Sequence, residues 1–351
     1  MSIPEQLEQL DRFIRSDLDY LTSVMPYLQS SQAFVSFIGL DTVTTDDSTL
    51  AAKSFENRQK YFSTLSAIWV YMKRSLGHRN ESAAPSVWLE YLPLLISISA
   101  GTVKVLDELY TAPFMRLRYG SLNKLGLTRS ERATLMIQGA ASEESRLASK
   151  SARSTPTQDP GQIWTWMTRL RETSYQIISA ILKMPQVYSN DQIGIILCDS
   201  LLAHHVDLPV HHFKALIQNF LAQFVLKCPD ACLQSVIAGQ MAKMAEIVNL
   251  RVEAVSGFIG TDIIDFLDED EPITDEILND RQLRLLIRSV AEFWFSVFRP
   301  NSDSKTTSVV ARQIFQHEAL ASMIFESLVC FPKLANTGSI FEGNGFASEN
   351  Q

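Results

Sequence analysis

Glycine and proline are scarce in this 351-residue chain, at 14 and 13 residues, too few for the many tight turns of an all-β protein. Cysteine is scarcer still. Cys198, Cys228, Cys232 and Cys330 lie in apolar runs without the CxxC pairing of zinc sites, and they are expected to be reduced and buried, as in an intracellular protein. An excess of positive charge is missing as well. The 31 Lys and Arg against 39 Asp and Glu leave a net charge of −8, which excludes a surface that attracts nucleic acid as a whole. The chain has no run of about 18 uncharged apolar residues, so no membrane span is expected. Met1 to Leu10 contain Glu5 and Glu8 and no apolar core, so no secretory leader is expected either. GxSxG, HExxH, Walker A and GxGxxG are all absent, so no catalytic residue and no cofactor is assigned.

What the chain does have is helical periodicity. Leu7, Leu10, Phe13, Ile14, Leu18, Leu21 and Val24 recur at i, i+3, i+4 and i+7, with acidic residues on the other face. Further helices are predicted at about 47–76, 86–111, 129–141, 161–184, 190–206, 209–227, 230–256, 274–298 and 308–331. Gly77, Pro113 and Pro185 stand where helices should stop, and Pro209, Pro229 and Pro272 where new ones open. From residue 161 the helices pair at a period of about 40 to 45 residues, the spacing of HEAT-type repeats. The expected fold is therefore all-α, a HEAT-repeat-like α-solenoid of antiparallel helix pairs. The expected organisation is a helical block over 1–141, a flexible polar linker over 142–160, helical repeats over 161–338 and a disordered tail over 339–351. A second polar stretch, from Asp262 to Glu276, concentrates carboxylates around Pro272 and is predicted to be an exposed inter-helical insert.

Three groups of residues are candidates for function. His204, His205, His211 and His212 are four imidazoles within nine residues. Leu208–Pro209 forces a turn between them, and adjacent histidines on a helix diverge, so they read as polar turn residues and no metal site is assigned. Between Arg116 and Arg153 eight basic residues face three acidic ones, a local balance of +5 in an acidic protein. Arg116, Arg118, Lys124, Arg129 and Arg132 from this stretch are the candidate cargo-binding residues, suited to phosphates or to an acidic protein surface. The aromatic residues, among them Trp164, Trp166, Tyr175, Phe213, Phe220 and Trp294, fall on helical apolar stripes and read as core.

Four blocks carry a family resemblance: WMTRLRETSYQIIS at Trp166–Ser179, LPVHHFKALIQNFLAQFVLKCPDACLQSVIAGQMAKMAEIVNLRV at Leu208–Val252, RQLRLLIRSVAEFWF at Arg281–Phe295 and IFQHEALASMIFESLVCFPKLANT at Ile314–Thr337. The helix that runs into Lys227–Cys228–Pro229 before a second long helix is the most specific of them. Over 164–340 the chain resembles the C-terminal part of the exportin five family, the Hasty and Msn5 relatives among the importin-β-like karyopherins. The resemblance implies a monomeric nuclear export receptor segment that shuttles between nucleus and cytoplasm. It implies Ran in its GTP form, a protein or structured RNA cargo, and nucleoporins as partners. Family members are several times longer, so the chain is expected to be a truncated or partial one. The alternative reading is a helical scaffold or assembly protein with no role in transport.

Overall fold

The computed structural model describes residues 3–41, 48–77, 86–111, 160–188, 191–228, 243–251 and 275–298, together with isolated positions between 311 and 325. All the elements among them are helical, and no strand occurs among the described residues. They divide into two compact units, Met1–Gln240 and Met241–Gln351.

The first unit opens with α1 (Ile3–Val24), whose buried face at Ile14, Leu18, Leu21 and Val24 follows the predicted period. A 3₁₀ turn at Met25–Leu28 leads into α2 (Ser31–Ile38), a helix too short to show a period in sequence. Local chemistry defines its ends. The Ser30 side chain accepts from Ala33 N at 3.2 Å, an N-cap. At the other end Gly39 takes the left-handed conformation at φ 69°, and its N–H and that of Leu40 bond back to Ser36 and Val35 carbonyls, a Schellman stop that a side chain would strain. The carbonyls left over at Phe37 and Ile38 accept from Asn57 Nδ2, at 3.1 Å, and from the buried Arg58 guanidinium, both on the next helix.

That helix, α3 (Ser48–Gly77), buries Tyr61, Leu65, Ile68 and Met72 on one stripe. The region predicted as one helix over 86–111 is broken at Tyr91 into α4 (Ser86–Glu90) and α5 (Leu92–Glu108), with Pro93 in the first turn of the latter. Trp88 Nε1 donates to Ser75 Oγ at 2.7 Å, and the hydroxyls of Tyr61 and Thr102 are bonded. Residue numbers fall along one helix as they rise along the other, so α3 and α4–α5 form an antiparallel pair.

α6 (Pro160–Ile181) packs on both α5 and α3. It buries Ile163, Met167, Leu170, Ser174, Ile177 and Ile181, at the i+3 and i+4 spacing of a core-facing helix. Burying each large aliphatic side chain contributes about 1.5–3 kcal/mol, so this three-helix layer is the centre of the unit's stability. α7 (Asp191–Leu201) packs on α5. It stops five residues before the predicted end at 206, because a turn must be completed before Leu208, a residue that Pro209 pushes out of helical geometry. α8 (Val210–Leu216), a π turn at Ile217–Leu221 and α9 (Ala222–Lys227) follow. Cys198 and Cys228 are buried free thiols, as expected, while Cys232 and Cys330 lie outside the described residues.

In the second unit, residues 243–251 are helical, with Met244 and Val248 buried. α10 (Asp275–Phe298) buries Leu278, Leu286, Val290, Phe293 and Val297. The all-α, solenoid-like fold expected from the sequence is the one found.

Candidate functional site

α5 carries no carboxylate until its last turn, where Asp107 places one near the negative end of the helix dipole. Two things make that position tenable. The carboxylate is fully buried, and its Oδ1 accepts from Arg171 Nη1 of α6, the guanidinium being almost as deeply buried. Burial pushes the Asp107 carboxyl up, against the pull of Arg171 and, more weakly, of His204. Desolvation works against the guanidinium too, but Asp107 first, then Tyr110 and Tyr175, hold it charged. The second oxygen of Asp107 finds no hydrogen-bond partner among the described residues.

Tyr110 extends the cluster one turn further. Its ring lies 5.9 Å from the Arg171 guanidinium carbon and 6.2 Å from the Trp164 ring, and its hydroxyl shares a 2.7 Å hydrogen bond with Nε2 of the buried His212. Burial raises the Tyr175 phenol well above its ordinary range. Contacts at 107 with 171 and at 110 with 164 show that α5 and α6 are antiparallel, and they set α8 against the end of α5. These groups face one another inside the layer. What they do is fix the junction of α5, α6 and α8, since separating any of them leaves a buried charge or hydroxyl without its partner.

The four histidines are thus dispersed in role. His212 is engaged by Tyr110, His211 lies 5.4 Å from it ring to ring, and the His205 ring nitrogen Nδ1 is 2.6 Å from the Leu202 carbonyl in the turn after α7. Among the described residues no three His, Cys, Asp or Glu side chains gather into a possible metal site.

The predicted cargo-binding residues Arg116, Arg118, Lys124, Arg129 and Arg132 all lie outside the described residues, in the segment 112–159. The two points where that segment leaves and rejoins the fold are described. Thr111 and Pro160 flank the Tyr110 and Trp164 rings, which touch, so the departing and returning chain ends are held side by side by the cluster. Sequence reasoning missed Asp107, Tyr110 and Arg171 as a group. The available signal was Asp107 at the apolar end of SISAGTVKVLDELY and the arginines Arg169 and Arg171 within an amphipathic helix.

No curated protein matches the chain. The family model described as the Exportin-5 family matches residues 92–334, more than two thirds of the chain. The match begins at the first residue of α5 and runs past the end of α10, so it takes in the Asp107–Arg171 junction and extends well ahead of Trp166, where the recognisable sequence blocks begin. The chain belongs to the Exportin-5 family.

Proposed function

We propose that this chain is the part of a nuclear export receptor that grips protein or structured RNA cargo together with Ran in its GTP form, and that it shuttles between nucleus and cytoplasm. The observation that carries the reading is the family match over 92–334. Members of that family are transport receptors and not enzymes, and stacked antiparallel helices suit such work. They bury a continuous core, leave extended faces, and let small rotations between layers fit a large ligand.

In this reading Arg116, Arg118, Lys124, Arg129 and Arg132 meet the cargo. Their local charge of +5 over Arg116–Arg153 is opposite in sign to the chain as a whole, and their segment is rooted at the Tyr110–Trp164 contact. Nucleoporins are the partners of passage. The test is binding of a short RNA hairpin across a salt series. Affinity should fall steeply with salt, and the double reversal Arg116→Glu/Arg118→Glu should weaken binding and flatten the salt slope by about two charges. Unchanged affinity and slope in that variant would remove these residues from the cargo site.

A further inference from the structure

The solvent face of α3 carries two ladders in one seven-residue register. Lys53, Lys60 and Arg74 fall at i, i+7 and i+21, and all three are exposed. Phe55, Phe62 and Trp69 fall at i, i+7 and i+14 on the opposite edge of the same face, Phe55 exposed and the other two half-buried. Between the ladders runs a floor of small side chains, Ala52, Ser63 and Ser66, with the longer Gln59 among them and Val70 exposed toward its C-terminal end.

The charge on this face is unbalanced. With Lys73 the exposed cations number four against the single carboxylate of Glu56, in a chain whose net charge is −8. No ion pair joins any of the four to a described carboxylate. Lys60 Nζ instead stands 4.3 Å over the Tyr20 ring of α1, and Lys73 Nζ 6.0 Å from the Trp69 ring. That local excess of positive charge in an acidic chain suits an acidic partner.

We infer that this face of α3 is a docking surface for an acidic amphipathic helix of another protein, laid along α3 with its apolar stripe on the small-residue floor and the aromatic ladder, and its carboxylates against Lys53, Lys60 and Arg74. Three observations select that occupant. A seven-residue recurrence advances about 10.5 Å along a helix, and it is the repeat with which a second helix presents flanking charges. Small floor residues let a partner's larger side chains seat between the ladders. A nucleic acid fits worse. The four cations span about 32 Å, or one per about 10 Å, against one phosphate charge per about 1.7 Å of a duplex, and Lys73 already stands over Trp69, where a base would have to stack. A face of that length and one helix width buries about 300–400 Å² per partner, which places the contact in the weak, transient class. The inference does not involve Ran, so it stands or falls separately from the transport reading.

The probe is a synthetic 21-residue peptide of three heptads, with leucine in its core positions and glutamate in its flanking positions, titrated against the full chain by fluorescence anisotropy. Binding in the micromolar range is expected, weakening with salt. The triple variant Lys53→Glu/Lys60→Glu/Arg74→Glu should lose at least tenfold, and a matched peptide with lysine in place of glutamate should bind that variant and not the original. Because all three positions are exposed, the substitutions leave the core untouched, and the regained binding of the lysine peptide reports a folded face. Failure of the glutamate peptide to bind, equal binding by the triple variant, or displacement of the peptide by a duplex RNA that loses affinity through the same three substitutions would each overturn the proposal.

Discussion

Two arginine–carboxylate pairs, one buried and one exposed, teach opposite lessons. Arg171 and Asp107 come from different helices, 64 residues apart, with side chains only 6% and 2% exposed. Arg288 and Glu292 sit one turn apart on α10, 2.8 Å between Nε and Oε1, with side chains 60% and 56% exposed. The chemistry is the same, but the surroundings decide its consequence. In water the α10 pair gains little, because solvent already stabilises both charges and salt screens their attraction. In the α5–α6 layer neither charge has solvent to fall back on, so the pair contributes chiefly by preventing a penalty. It fixes which helix meets which, and only one register brings carboxylate and guanidinium together.

The largest effect should come from breaking the buried pair by halves. Asp107→Ala or Arg171→Ala should destabilise the first unit by about 3–5 kcal/mol in urea melts. Replacing both at once, Asp107→Leu with Arg171→Met, should recover much of that loss, because no uncompensated charge then remains buried. Losses that simply add in the double variant would show that the two side chains act independently.

The same burial appears in a pH profile. Desolvation raises the phenols of Tyr61 and Tyr175 above their ordinary value, and at Tyr61 it outweighs the hydrogen bond that the hydroxyl shares with Thr102. The half-buried Tyr20 is pushed up to about 12 by the same cause. A phenol whose folded value exceeds its unfolded value near 10 contributes stability fully below about pH 10, and that stability is lost as the pH rises above it. Unfolding free energy should therefore fall above pH 10, less steeply in Tyr61→Phe than in the original chain. Identical slopes would show that Tyr61 ionises as freely in the fold as out of it. The smallest effect belongs to the exposed pair, where Glu292→Ala should cost about 0.3–0.5 kcal/mol, reduced further by salt.

The sequence made the long helices legible because their stripes repeat often enough to be counted. Tyr61, Leu65, Ile68 and Met72 on α3, and Ile14, Leu18, Leu21 and Val24 on α1, recur at three and four residues, and all are buried. α2 escaped because eight residues make barely two turns. Its evidence lay in the flanking Ser30 and Gly39, which cap it. The break at Tyr91 and the π turn at Ile217–Leu221 left no mark on the apolar pattern, since Leu92, Leu216, Ile217 and Phe220 are buried whichever helical geometry they adopt. The Asp107–Tyr110–Arg171–His212 cluster was out of reach for a different reason. Its members come from segments distant in sequence, and only the tertiary fold shows which of the charges in each segment is half of a buried pair. His212 shows the same limit: the expectation of a polar turn residue holds for His204 and His205, while His212 is buried against Tyr110.

The receptor reading rests on family membership, and its sharpest consequence is dependence on the nucleotide state of Ran. The decisive measurement is calorimetric or anisotropy titration of the chain with RNA hairpin or protein cargo in the presence of Ran locked in its GTP form and, separately, of Ran loaded with GDP. Binding of Ran and cargo should strengthen each other at least several-fold with GTP and show no coupling with GDP. Equal affinities in the two nucleotide states would contradict the account and leave a helical scaffold without a transport role.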